Sequence, residues 1–68
     1  MDANALKSIK LEFGRKIFFL DLKENERGRF LKITEDVGGR RDTIIIPEEA
    51  LEDLHDAMAD ILDSLDEQ

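Results

Sequence analysis

The residues of this chain best suited to chemistry are aromatic rings and cations interleaved over one short stretch. Between positions 19 and 32 stand Phe19, Lys23, Asn25, Arg27, Arg29, Phe30 and Lys32. Rings offer faces on which unpaired bases stack, and Lys or Arg beside them follow the phosphates, so the pattern suits a single strand. Duplex DNA fits less well, because no basic helix is available for a major groove. Catalysis has less to draw on. There is no Cys and one His, His55, which excludes thiolate chemistry and a His/Cys metal site and points to a reducing compartment. The carboxylates are spread along one segment and do not converge on a nucleophile or base. Catalytic residues, metal ligands and cofactors are therefore set at none, and no enzyme is expected.

The elements that must position these residues follow from periodicity. Four segments alternate with period two, giving strands at about 6–13, 16–25, 28–36 and 40–46. Turns are read at Phe13-Gly14-Arg15-Lys16, Asn25-Glu26-Arg27-Gly28 and Val37-Gly38-Gly39-Arg40. Connections this short imply an antiparallel meander. Pro47 suits a first helical position, and Glu48 and Glu49 favour the positive end of a helix dipole. From there Leu51, Leu54, Met58, Ile61, Leu62 and Leu65 recur at helical spacing and form one apolar stripe over about 47–66. His55 flanks that stripe as a boundary or interface residue, and Met58 reads as core. The order is ββββα, an α+β domain.

One helix covers only part of a four-stranded sheet, and a chain of 68 residues is marginally stable alone. With disulfides and metals excluded, a second copy is the remaining source of cover. On this reading Phe18, Leu20, Leu22, Leu31 and Ile33 face the helix. The opposite face shows Phe19, Asp21, Lys23, Phe30, Lys32 and Thr34, with Arg27 and Arg29 at the adjoining turn. Either that face binds a single strand or its rings pack in a dimer interface. Asp21 is expected to pair with Lys23, and Arg29 either meets phosphate or pairs with an acid such as Glu24 or Asp21.

The net charge of −7 is unevenly placed. Residues 1–46 carry all ten Lys and Arg against eight acids, a balance of +2, and residues 47–68 carry nine acids and neither Lys nor Arg. The acid belongs to the helix, so a nucleic-acid surface is to be sought on the sheet. An alternative function follows from the same asymmetry: a dimeric protein-interaction module whose acidic helix face docks a basic partner. The start, MDANALKSIK, lacks a signal-peptide layout, and the longest apolar run, Ile17–Leu20, is too short to span a membrane. A cytoplasmic protein is expected, with nucleoid association as an option.

Residues 16–35, KIFFLDLKENERGRFLKITE, closely resemble the repeat of the PUR family, the purine-rich-element-binding proteins related to PUR-alpha. The match is strongest over Leu20-Asp21-Leu22-Lys23, Asn25 and Gly28-Arg29-Phe30-Leu31-Lys32-Ile33, and the ββββα order extends it over nearly the whole chain. The resemblance implies a single repeat over 1–68, as in bacterial members, with a Whirly-like fold in which two repeats intertwine as a homodimer. It also implies binding to single-stranded, purine-rich DNA and RNA. Carried over by matching residues, Lys23 and Asn25 look like the phosphate and base-edge contacts, Arg27 like an aid to the same strand, and Phe30 like the ring that stacks on a base. Arg40 or Arg41, opening the fourth strand, resembles a further basic contact. Gly14 departs from the pattern, standing where eukaryotic relatives offer a polar side chain.

Overall fold

The alternating segments form one antiparallel sheet in the computed structural model, which describes residues 5–66. Strands β1 (Lys7–Phe13), β2 (Lys16–Asn25), β3 (Gly28–Val37) and β4 (Arg40–Pro47) lie in the spatial order β1-β2-β3-β4, and helix α1 (Glu48–Asp66) follows. The ends of the expected 1–68 repeat, residues 1–4 and 67–68, lie outside the described residues. Two-residue turns join the strands. Gly38 and Gly39 both take positive φ, 61° and 90°, the conformation that lets a two-residue turn match the twist of its flanking strands. β3 runs one residue past the expected end, to Val37, which pairs with Arg40 across that turn.

Pro47 departs from expectation. It closes β4 opposite Phe30, and α1 begins at Glu48. β4 is an edge strand, where a residue without an N–H donor breaks no ladder bond. The first turn of α1 then carries Glu48 and Glu49, whose charge complements the helix dipole.

Register separates the side chains into two faces, because directly paired residues of an antiparallel ladder point the same way. The pairs Ile9↔Leu20, Leu11↔Phe18, Leu20↔Ile33, Leu22↔Leu31, Ile33↔Ile44 and Leu31↔Ile46 make one face apolar. The pairs Lys10↔Phe19, Phe19↔Thr34, Asp21↔Lys32, Lys23↔Phe30 and Thr34↔Thr43 make the other, called the open face below.

The apolar face is incompletely covered. α1 touches β3 and β4, and of its stripe Leu51 and Leu54 are half-buried. Met58, expected in the core, is 50% exposed, and Ile61, Leu62 and Leu65 are more than 60% exposed, because the helix runs on past the strands it packs against. Among the described residues no apolar side chain is buried; Phe18, Leu20, Leu22, Leu31 and Ile33 are half-buried. The dimensions agree: extents are 43 × 31 × 16 Å and the radius of gyration is 13.9 Å, against about 11 Å for a compact chain of this length. The accessible surface is 5851 Å², where a closed monomer of this mass exposes about 4,400 Å².

Candidate nucleic-acid interface

The open face begins at the β2–β3 turn. The side-chain oxygen of Asn25 accepts the backbone N–H of Arg27 at 2.8 Å, an Asx-type turn, and Gly28 follows with φ 131°, which an L side chain rarely adopts. Since the Asn25 oxygen serves the turn, its NH₂ is the group that can meet a base edge. Beyond the turn, Lys23 stands directly across the ladder from Phe30. Asn25, Arg27, Gly28, Arg29, Phe30, Ile45, Pro47 and Glu49 line an open concavity of about 340 Å³ at this end of the sheet.

Electrostatics mark the same corner. Partial burial, and then the neighbouring Lys32 ammonium, push Lys23 below the usual lysine range. Two ammonium groups held this close repel each other, and an anion between them relieves both. On the same face Asp21 accepts the Ser8 hydroxyl at 2.6 Å.

Three basic residues left ambiguous by sequence, Arg29, Arg40 and Arg41, are placed by register. Arg29 pairs with Glu24 across the ladder, and alternation sets it on the face opposite Phe30. Its guanidinium donates to Glu48 at the start of α1, and the Glu48 carboxylate raises its pKa. The hydrogen-bonded acid partner is Glu48, at the strand-to-helix junction, and Glu24, one of the two acids expected, also raises the Arg29 pKa from across the ladder. Arg40 pairs with Val37 on the apolar side, whereas Arg41 pairs with Asp36 on the open face. Of the two, Arg41 shares a face with Lys23, Phe30, Lys32 and Phe19.

Around Phe19 the arrangement differs from that around Phe30. The Arg41 guanidinium lies 5.4 Å from the Phe19 ring centre, and Lys10 Nζ approaches it at 5.9 Å, both within reach of a cation–π attraction. Arg41 Nε donates to Asp36 at 2.8 Å. Asp36 also accepts the Gly39 N–H at 2.9 Å, and these two donors, the backbone one first, hold its carboxyl below the usual carboxylate range. Thr34, beside Phe19 in the ladder, is 7% exposed, and its hydroxyl lies 3.4 Å from that of Thr43.

Sequence reading missed Asp36, Ile45 and Pro47 as parts of this face, whereas alternation against Ile9, Leu11 and Phe13 already sets Lys10 on it. Asp36 had a legible signal: a two-residue Gly-Gly turn places Asp36 opposite Arg41. The same register sets Ile45 opposite Lys32 and Pro47 opposite Phe30. Among the described residues no group of three or more His, Cys, Asp or Glu could hold a metal ion, and no helix is long and apolar enough to cross a membrane. His55 is exposed on α1, with Nδ1 3.1 Å from the Asp56 carboxylate.

Comparison with known proteins bears on this surface. A family profile described as PurA ssDNA and RNA-binding protein matches residues 1–68. The chain is 52% identical over 42 residues to transcription factor Pur-alpha 1 of Arabidopsis thaliana, covering 62% of this chain and 14% of that protein. It is 38% identical over 66 residues to human transcriptional activator protein Pur-alpha, covering 87% of this chain and 20% of the relative. It is also 38% identical over 74 residues to human transcriptional regulator protein Pur-beta, covering 87% and 24%. The chain thus spans a quarter or less of the length of these relatives.

Proposed function

Because this chain belongs to the PurA family of single-stranded DNA- and RNA-binding proteins, we propose that its open sheet face binds single-stranded, preferentially purine-rich DNA or RNA. The observation that carries this reading is the corner where Lys23 faces Phe30 across the ladder while Lys32 crowds the Lys23 ammonium. A ring available for stacking sits beside two cations whose repulsion an incoming phosphate relieves. Asn25 directs its NH₂ to a base edge, and Arg27 supplies a further cation at the turn. The acidic helix packs against the other side of the sheet, so of its carboxylates Glu49, at the border of the concavity, is the one that opposes binding at contact range, and the rest of the net charge of −7 acts from farther away.

The binding form is a homodimer. Its supports are the half-exposed stripe of Met58, Ile61, Leu62 and Leu65, the uncovered Ile9, Leu11, Phe13 and Ile44, and a radius of gyration too large for a closed monomer. The surface in excess of a closed chain, about 1,500 Å² per protomer, is of the order a stable interface buries. A cytoplasmic, nucleoid-associated location accords with such a ligand, and catalysis forms no part of the function.

Fluorescence polarisation with labelled purine-rich and pyrimidine-rich single strands, run side by side across a salt series, tests the reading. Salt-sensitive binding with tighter purine binding is expected, since neutralised phosphates release counterions. Absence of salt-sensitive binding at micromolar protein would refute it.

A further inference from the structure

The second aromatic of the open face, Phe19, does not present itself as Phe30 does. Its ring is approached by Arg41 from the β4 side at 5.4 Å and by Lys10 from the β1 side at 5.9 Å. Arg41 reaches diagonally across β3 to do so, and Thr34, the residue between them in the ladder, is the one described residue buried on this sheet. Two further contacts fix the guanidinium in place. Nε donates to Asp36, whose side chain is only 13% exposed, and that carboxylate is itself anchored by the Gly39 N–H of the β3–β4 turn. The Arg41 side chain is nonetheless 63% exposed. The result is a planar cation held from its edge by an acid, with a ring beneath it and solvent beyond it.

We propose that the Arg41 guanidinium, clamped by Asp36 over Phe19, is a stacking platform for one nucleobase of the bound strand, with Asp36 as its positioning residue. Three physical reasons favour this over a phosphate contact. The charge is already paired at 2.8 Å, so a phosphate would have to compete with Asp36 for it. A guanidinium plane accepts an unpaired base as an aromatic ring does. The clamp removes rotamer freedom before the ligand arrives, so less is lost on binding. Phe19 is then the backing of the platform and Phe30, half-buried like it, a ring with Lys23 rather than a guanidinium beside it, and the open face offers two stacking positions of different kind.

This inference rests on the open face being the single-strand site, and the test separates the two. Wild type, Arg41→Lys and Asp36→Asn are titrated with a purine-rich single strand and with a fully abasic strand of equal length, each over a salt series. Arg41→Lys keeps the charge and loses the plane. It is expected to weaken binding to the base-bearing strand about tenfold, within the range a stacked base contributes, with an unchanged salt slope. On the abasic strand it should bind as wild type does. Asp36→Asn releases the guanidinium and adds one net positive charge, so the salt slope should steepen while discrimination between base-bearing and abasic strands narrows. A merely structural role for Asp36 would move neither quantity in that pattern, and melting curves identify a variant that has lost the fold. Arg41→Lys matching wild type on both strands, or losing equally on both, overturns the platform while leaving the open face as the site. Failure of wild type to bind either strand removes both readings.

Discussion

Phe30 and Lys23 meet across the β2–β3 ladder, so a base stacked on the ring sets its phosphates within reach of the ammonium. Phe30→Ala is expected to weaken single-strand binding about fivefold to a hundredfold, the worth of one stacked base, and to leave the molar mass from light scattering unchanged. Loss of the dimer in that variant would instead make Phe30 an interface residue. Lys23 adds a pH dependence. Partial burial and Lys32 lower its folded-state pKa, so the ammonium is lost at a pH where ordinary lysines keep theirs. Affinity should fall as pH rises through that depressed range, and Lys32→Gln, which removes the repulsion, should move the fall to higher pH. Stability has the opposite sign. The unfolded chain holds the Lys23 proton more tightly, so stability rises with pH between the depressed value and the ordinary one. Titration of the Lys23 side chain by NMR, alongside affinity against pH, checks both.

The elements differ in how completely they account for themselves. Alternation and turn chemistry were enough to read four strands and two faces, because a period of two leaves little freedom once three short turns are placed. The ambiguity between Arg40 and Arg41 was resolved only by register: residues adjacent in sequence point to opposite faces, and the Gly38-Gly39 turn decides which pairs with Asp36. Arg29 lay beyond sequence reading because its partner, Glu48, sits nineteen residues on in a different element. Pro47 was misplaced by one position because the features that open a helix and those that end an edge strand overlap at this residue. The α1 stripe was visible, but a stripe does not say which surface it meets. Here Leu51 and Leu54 meet this sheet and Leu62 does not. Leu62→Glu is therefore expected to reduce the mass in light scattering to that of one chain at tens of micromolar, with a large loss of helical circular dichroism, since a lone helix of this length is marginal. Persistence of the larger mass would place the interface elsewhere. The β3–β4 hairpin carries a second signature. Asp36 titrates below the usual carboxylate range when folded, so its contribution is present above the ordinary Asp pKa and is lost as pH falls through the depressed one. Asp36→Asn should flatten that acid limb of thermal stability.

At the scale of the whole molecule the question is how a chain of net charge −7 would hold the polyanion proposed as its ligand. The answer lies in distance measured against screening. α1 starts beside the β2–β3 corner, where Glu48 meets Arg29 and Glu49 borders the concavity lined by Phe30 and Asn25. At 1.5 Å per residue, Asp60 and Asp63 lie about 18 and 22 Å further along the helix axis. The Debye length is about 8 Å near 0.15 M salt and about 30 Å near 0.01 M. The far acids therefore act on a bound strand in dilute salt and are screened out in physiological salt, while Lys23 and Lys32 act at contact in both. Repulsion that appears only at low salt bends the salt dependence: log affinity should rise less steeply on dilution than the phosphate contacts alone dictate. Replacing Asp60→Asn and Asp63→Asn together should raise affinity severalfold near 0.01 M and leave it unchanged near 0.15 M, straightening the plot. Glu49→Gln, at the border of the site, should strengthen binding at both. An Asp60/Asp63 effect that persists undiminished at the higher salt would mean that the far end of the helix touches the strand, and that the ligand runs along α1 rather than across the sheet.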